Sequence, residues 1–257
     1  MRVVSVHPDV LVATSRVWQT TCTIVRGGDE AFVIDSPVLP DELDLLPTLL
    51  QQTGFPFSGL LATHGDWDHL LARYAFPDAA LGVAETTAAR LTGAPGSAQR
   101  HLRDFDERWY VRREKPLSLG QVQSLPVPGR LEVGSRELEL HPADGHTSDG
   151  MAVFIGDADV LVCGDYLSPV EIPMLSEDGS RTAYLATLDR LAPLVERASV
   201  VVPGHGEPID PQRALAILRE DRTYLESLPS SSVPLARRSG EQRRIHEANV
   251  EHVGQKA

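Results

Sequence analysis

Apolar residues along the first part of the chain come in short runs: Val3-Val4-Ser5-Val6, Val10-Leu11-Val12-Ala13, Thr20 to Val25 through Cys22 and Ile24, and Ala31-Phe32-Val33-Ile34. His7-Pro8-Asp9 and Gly27-Gly28-Asp29 break them. Short β-branched runs bounded by turn formers predict strands. The period then changes. After Pro40-Asp41-Glu42, leucines at 43, 46, 49 and 50 recur at helical spacing until Gly54, which predicts a helix. Gly59-Leu60-Leu61-Ala62 predicts a short buried strand that ends where charged residues begin. A helix is expected from near Asp68 through Leu70, Leu71 and Tyr74.

Between residues 80 and 110 a short strand at Leu81-Gly82-Val83 precedes two helical patterns, the second from Ser97 to Trp109. A second β block follows, at Val122-Leu125-Val127, Leu131-Val133, Leu138-Leu140, Val153-Phe154-Ile155 and Val160-Leu161-Val162. Helices are predicted over Thr182–Ala198 and roughly Gln212–Leu228, with a strand at Val200-Val201-Val202 between them. Gly28 to Asp35 and Gly156 to Asp165 repeat one pattern of turn, apolar strand and terminal aspartate. Two β-then-α halves that deliver charged residues from strand ends imply an α/β chain folded as a four-layer αβ/βα sandwich, with the site along one edge. Residues 1–229 are expected to form one domain. Composition shifts after Pro229, and residues 230–257 are expected to form a solvated tail or a short packing helix.

Composition narrows the partners. At 257 residues the chain can bury a full core. An excess of 36 acidic over 24 basic residues gives a net charge of −12, which disfavours nucleic acid and points to a small-molecule substrate. No apolar run is long enough to span a bilayer. The start, Met1 to Pro8, lacks the apolar core of a signal peptide, and two distant cysteines, Cys22 and Cys163, suggest no disulfide framework. A cytoplasmic protein is expected.

The candidate chemistry lies in Thr63-His64-Gly65-Asp66-Trp67-Asp68-His69. Imidazoles and carboxylates this close repel, compete for protons, or share a cation, and sharing a cation is the stable arrangement. The stretch resembles the His-x-His-x-Asp-His signature of the metallo-β-lactamase fold superfamily, with Asp66 where the second histidine stands. Gly145-His146-Thr147, Cys163-Gly164-Asp165 and Pro203-Gly204-His205-Gly206 resemble that family's later motifs, in its order and with suitable separations. The resemblance implies the αββα sandwich and two divalent metal ions, zinc first. His64, Asp66 and His146 would hold one ion, Asp68, His69 and His205 the other, and Asp165 would lie between. It implies a hydrolase in which a hydroxide shared by the ions attacks an ester, lactone or thioester, with Asp68 orienting it.

The departure at Asp66 adds a carboxylate and tilts preference toward manganese or iron. A carboxylate here also resembles the flavodiiron branch, so a di-iron oxidoreductase is the alternative, with a non-catalytic metal-binding scaffold as a third reading. Asp35 is expected to buttress the metal loop through hydrogen bonds. Tyr166 is a candidate donor to a developing oxyanion, and Ser168 to Ser180 a candidate wall over the site. Cys163, inside an apolar strand, reads as a core thiol.

Overall fold

The computed structural model describes residues 1–230, 232–233 and 235–255. Seven strands form one sheet in sequence order: β1 (Arg2–His7), β2 (Val10–Thr14), β3 (Thr21–Gly27), β4 (Glu30–Asp35), β5 (Phe57–Leu61), β6 (Leu81–Ala84) and β7 (Val122–Leu125). The second sheet has β8 (Gly129–Val133), β9 (Arg136–Pro142), β10 (Met151–Ile155), β11 (Val160–Val162) and β12 (Val200–Val202), in reverse order across the sheet. Helices α1 (Pro40–Thr53), α2 (Ala72–Ala75), α3 (Glu85–Gly93) and α4 (Ser97–Trp109) accompany the first sheet in sequence, and α5 (Arg181–Arg197) and α6 (Pro211–Glu226) accompany the second. A last helix, α7 (Gly240–Gln255), lies within the segment expected as a tail or packing helix. Positions 231, 234, 256 and 257 of that segment lie outside the described residues.

Strand alternation builds the layers. Val153 and Ile155 of β10 and Val160 and Val162 of β11 face the first sheet, where they join Val10, Val12, Val25 and Ile34. Their neighbours Ala152, Phe154 and Leu161 face the other way, onto Leu188 and Leu191 of α5 and Ile217 of α6. On the far side of the first sheet, Ile24, Val33 and Leu60 pack against Leu43, Leu46 and Leu50 of α1. Each leucine so buried contributes about 1.5–3 kcal/mol. Helix, sheet, sheet, helix is the four-layer order expected from the sequence.

Capping chemistry sets several boundaries. Pro40 opens α1, and the chain leaves it through Gly54 at φ 71°, a left-handed conformation that glycine adopts without strain. Ser180 and Asp210 cap α5 and α6 by accepting from the Ala183 and Arg213 N–H groups. The helix expected near Asp68 is instead a 3₁₀ turn over Trp67–His69 followed by the short α2. Among the described residues, no helix is long and apolar enough to cross a membrane.

Parallel pairing decides where the charged loops meet. Strands β4, β5 and β6 run parallel, so Asp35 and the 63–69 loop leave the first sheet at one edge. In the second sheet β11 and β12 are parallel and deliver residues 163–165 and 203–206 together. Backbone bonds close the seam: Thr21 N donates to Gly204 O at 2.7 Å, Gly206 N to Gln19 O at 2.9 Å, and Met151 N to Thr63 O at 2.7 Å. The carboxyl ends of parallel strands are the usual place for a site in open α/β sheets.

Candidate metal centre

Asp35 ends β4 in a left-handed conformation, φ 61°, unusual for a residue with a side chain. Its Oδ1 accepts from Thr63 N at 2.7 Å, its Oδ2 from Thr63 Oγ1 at 2.9 Å, and Oδ2 also lies 3.1 Å from His69 Nδ1. One buried carboxylate therefore fixes the start of the loop by hydrogen bonds, the buttressing expected from the sequence, and lies close against the His69 ring. The other imidazoles are held in the same manner. His146 Nδ1 lies 2.9 Å from Met174 O, His64 Nδ1 3.1 Å from Thr63 Oγ1, and His205 Nδ1 3.3 Å from both Trp18 O and Thr20 Oγ1. The Nδ1 of each ring faces an oxygen, by hydrogen bond for His64, His146 and His205 and by a close approach to Asp35 for His69, which leaves Nε2 as the outward donor.

The Nε2 atoms converge on Asp165. Its Oδ2 lies 3.6 Å from His64 Nε2 and 3.3 Å from His146 Nε2, and its Oδ1 lies 3.1 Å from His69 Nε2 and 3.3 Å from His205 Nε2. Asp66 Oδ2 joins the first pair, at 3.8 Å from His64 and 3.4 Å from His146. Asp68 Oδ2 joins the second, at 3.7 Å from His69 and 3.5 Å from His205. All seven side chains singled out as ligands are thus brought together, as two triads flanking one carboxylate.

Whether an ion fits is decided by spacing and by unmet bonding. Donors about 2.1 Å from a tetrahedral ion stand about 3.4 Å apart, close to the separations within each triad. His64 Nε2, His69 Nε2, His146 Nε2 and Asp165 Oδ1 are buried without a hydrogen-bond partner. Buried polar atoms left unpaired are costly and rare in native folds. The donor set fits a divalent cation at each triad.

Protonation tells the same story. Burial opposes charge on His146 and His205, yet the carboxylates beside them win and raise these imidazoles to about 9 and about 10. Burial also opposes charge on Asp165, and the surrounding His205, His69 and His64 hold it well below the usual carboxylate range. His64 goes the other way, lowered by burial and by its neighbour His69. Protons here take the place a cation would fill, and loading metal must displace them.

Tyr166 departs from expectation. Its hydroxyl accepts from His146 N at 3.0 Å and donates to Ala143 O at 3.4 Å, and the ring is buried against Tyr184. It positions the His146 loop instead of facing a reacting centre. Cys163 is a buried free thiol, as expected of a core residue.

Two residues of the site were missed. Asp149, fully buried, accepts from Gly65 N at 2.9 Å, and Arg90 of α3 donates to Asp66 Oδ1 at 2.8 Å and to Asp149 Oδ1 at 3.1 Å. The polar run Thr147-Ser148-Asp149 ahead of the apolar β10 carried a signal for Asp149. Nothing local marked Arg90.

A cavity of about 390 Å³ opens over the triads. Trp18 and Trp67 form one side, edge to face with centroids 5.7 Å apart. The 168–175 segment supplies Glu171, Ile172, Met174 and Leu175, and α7 closes the opposite side with Glu241, Arg244, Ile245 and Ala248. Although 168–175 has no regular structure, its backbone is tied down. Gln242 Oε1 accepts from Ile172 N at 2.7 Å, Asn249 Oδ1 from Leu175 N at 2.8 Å, and Arg237 donates to Glu171 O at 2.8 Å. Helix α7 therefore holds the wall over the site.

Asp35→Asn is expected to weaken metal binding about 10- to 100-fold, because the carboxylate that aligns His69 loses its charge. Chelator competition against the wild-type chain reads this directly; equal affinities would show that Asp35 only supports the fold.

The profile described as the metallo-beta-lactamase superfamily matches residues 15–205. No curated protein matches the sequence. Among solved structures, a metallo-beta-lactamase from Pontibacter korlensis is 19% identical with a TM-score of 0.64, covering 85% of this chain and 98% of its own. The stereoselective inverting sec-alkylsulfatase Pisa1 from Pseudomonas sp. is 15% identical with a TM-score of 0.71, covering 99% of this chain and half of its own. The di-iron-bound form of TTHA1623 is 23% identical with a TM-score of 0.62, covering 79% of this chain and 96% of its own.

Proposed function

This chain belongs to the metallo-β-lactamase superfamily, and on that premise we propose that it is a metal-dependent hydrolase acting on a small ester-, lactone- or thioester-like substrate. The observation that carries the proposal is the set of buried, unpaired Nε2 atoms converging with Asp165. His64, Asp66 and His146 would hold one ion, and Asp68, His69 and His205 the other, with Asp165 offering one oxygen to each. When bound, such ions lower the pKa of water from 15.7 to about 7 and polarise a carbonyl oxygen.

The remaining work falls to the chain. Asp68 lines the cavity and accepts a hydrogen bond from the attacking water, which orients its lone pair toward the substrate. Trp18, Trp67, Ile172, Met174 and Ile245 exclude bulk water and receive an apolar substrate body. Glu171 and Glu241 face the same space, with Arg244 2.6 Å from Glu241. That balance supports a neutral substrate over an anionic one, and a small molecule over nucleic acid. Zinc is the first assignment. Asp66 and the di-iron neighbour support iron or manganese as the second. A cytoplasmic location belongs to the same proposal, supported by two buried free thiols, Cys22 and Cys163.

The test pairs elemental analysis of protein purified without added metal with a panel of lactone, thioester, phosphodiester and β-lactam substrates. Two ions per chain and turnover of a lactone or thioester are the expected results. Turnover that survives His69→Ala would refute the site, and iron with oxygen consumption but no hydrolysis would favour the oxidoreductase alternative. Ala248→Trp, which intrudes on the cavity from α7, is expected to raise KM roughly tenfold at unchanged metal content, a loss of about 1.4 kcal/mol in binding. An unaltered KM would place the substrate elsewhere.

A further inference from the structure

Asp66 stands where the related pattern has a histidine, so the first triad carries one more negative charge and one fewer neutral imidazole. An uncompensated carboxylate in a buried site is expensive. Here it is not uncompensated. Arg90 Nη1 lies 2.8 Å from Asp66 Oδ1 and 3.1 Å from Asp149 Oδ1, and Arg90 Nε lies 3.0 Å from Asp178 Oδ2. The two oxygens of Asp66 are thereby divided. Oδ1 faces the guanidinium, and Oδ2 faces His64 and His146.

The same guanidinium gathers the segments that build the triad. Asp149 Oδ2 accepts from Gly65 N at 2.9 Å, between His64 and Asp66. Asp178 Oδ2 accepts from Ser148 Oγ at 2.6 Å, and Ser176 N donates to His146 O at 2.9 Å. The loop after β5, the loop before β10 and the stretch before α5 are therefore joined through one side chain. A planar fork with several donors can serve three carboxylates at once, which an ammonium cannot do with fixed geometry.

We infer that Arg90 is a positioning residue for the first metal site: it offsets the charge that Asp66 adds and turns one Asp66 oxygen toward the ion. The inference rests on the metal-centre reading above. It makes Asp66 and Arg90 a matched pair at the ion, while the Arg90 contacts to Asp149 and Asp178 do not depend on which residue stands at 66. With histidine at 66 there is no extra charge to offset and no carboxylate to orient.

The experiment titrates Zn²⁺, and in parallel Mn²⁺, into chelator-stripped full-length protein, with stoichiometry and affinity read by calorimetry. His146→Ala identifies the binding step that belongs to the first triad. Arg90→Met is expected to weaken that step about 10- to 100-fold and leave the other step unchanged, with Arg90→Lys in between. In an Asp66→His background, Arg90→Met is expected to weaken the first step at least threefold less than it does beside Asp66, because only its contacts to Asp149 and Asp178 are then lost, and Asp66→His alone should shift preference toward zinc. An unchanged first step in Arg90→Met overturns the inference. So does an equal loss in both backgrounds, which would make Arg90 a general support of the loops. Should Arg90→Met fail to fold, the Arg90→Lys comparison across the two backgrounds decides on the same criterion. Wild-type protein that binds no ion overturns the metal-centre reading itself, an outcome visible before any variant is compared.

Discussion

Asp165→Ala is expected to remove both ions at once and to lower hydrolysis by about a thousandfold or more, equivalent to about 4 kcal/mol of transition-state stabilisation. The reason is geometric. Its two oxygens face different triads, Oδ2 toward His64 and His146 and Oδ1 toward His69 and His205. Any other single removal takes a donor from one site only. His146→Ala should therefore retain about one ion per chain where Asp165→Ala retains none. Losing the carboxylate also removes a charge that favours the protonated forms of His146 and His205, so the metal-free variant should bind protons at the site less readily than the metal-free wild type. Elemental analysis after dialysis separates the cases, and two ions still bound to Asp165→Ala would show that the carboxylate is not shared.

The second large effect lies outside the metal centre. Arg237 is fully buried and lies 2.6 Å from Asp221, itself buried in α6, while donating to the carbonyl oxygens of Glu171 and Ser168. Arg237→Met leaves Asp221 without a counter-charge and frees the cavity wall. Removing one partner of a buried pair costs about 3–5 kcal/mol, which for a chain of this size lowers Tm by roughly 6–20 °C. The sign of its pH dependence follows from Asp221. Burial pushes this carboxyl up to about 7 despite the pull of Arg237, and without Arg237 it rises further. The folded state then prefers the protonated acid, so the deficit is full above that pKa and shrinks as pH falls below it. Tm measured at pH 8 and pH 5.5 should show the wider gap between variant and wild type at pH 8. Combining Arg237→Met with Asp221→Leu should recover most of the loss, because an apolar pair of similar volume leaves no orphan charge. A single variant as stable as wild type at both pH values would show the pair to be idle.

The layered fold was legible because burial acts on local pattern. Met151 to Ile155 alternates between two apolar environments, and leucines 43, 46 and 50 share one helix face. Period alone states which side is covered. The 63–69 loop was legible for a related reason: its charges crowd within a few residues, and later loops match one family's order. Where the period was short the boundaries slipped, as with the 3₁₀ turn at Trp67–His69, where Asp35 and Ser36 draw the loop tight and only i→i+3 bonds form. For residues 240–255 the sequence allowed both a tail and a packing helix, since a weak apolar period does not say what lies opposite. Gln242 and Asn249 decide their contacts by bonding the backbone of Ile172 and Leu175, which is adjacent in space but about seventy residues away in sequence.

By itself, then, the sequence determined the order of strands and helices, the α/β layering, and a cluster of imidazoles and carboxylates at strand ends. These depend on neighbours in the chain and on which face meets water. Only the tertiary structure decided how Asp165 divides its oxygens, why Tyr166 turns to backbone, and that Arg90 shares Asp66 with the first triad. Each of these is a pairing between side chains on separate elements. Direction and distance at such range come from how sheets and helices pack, and no stretch of sequence encodes them alone.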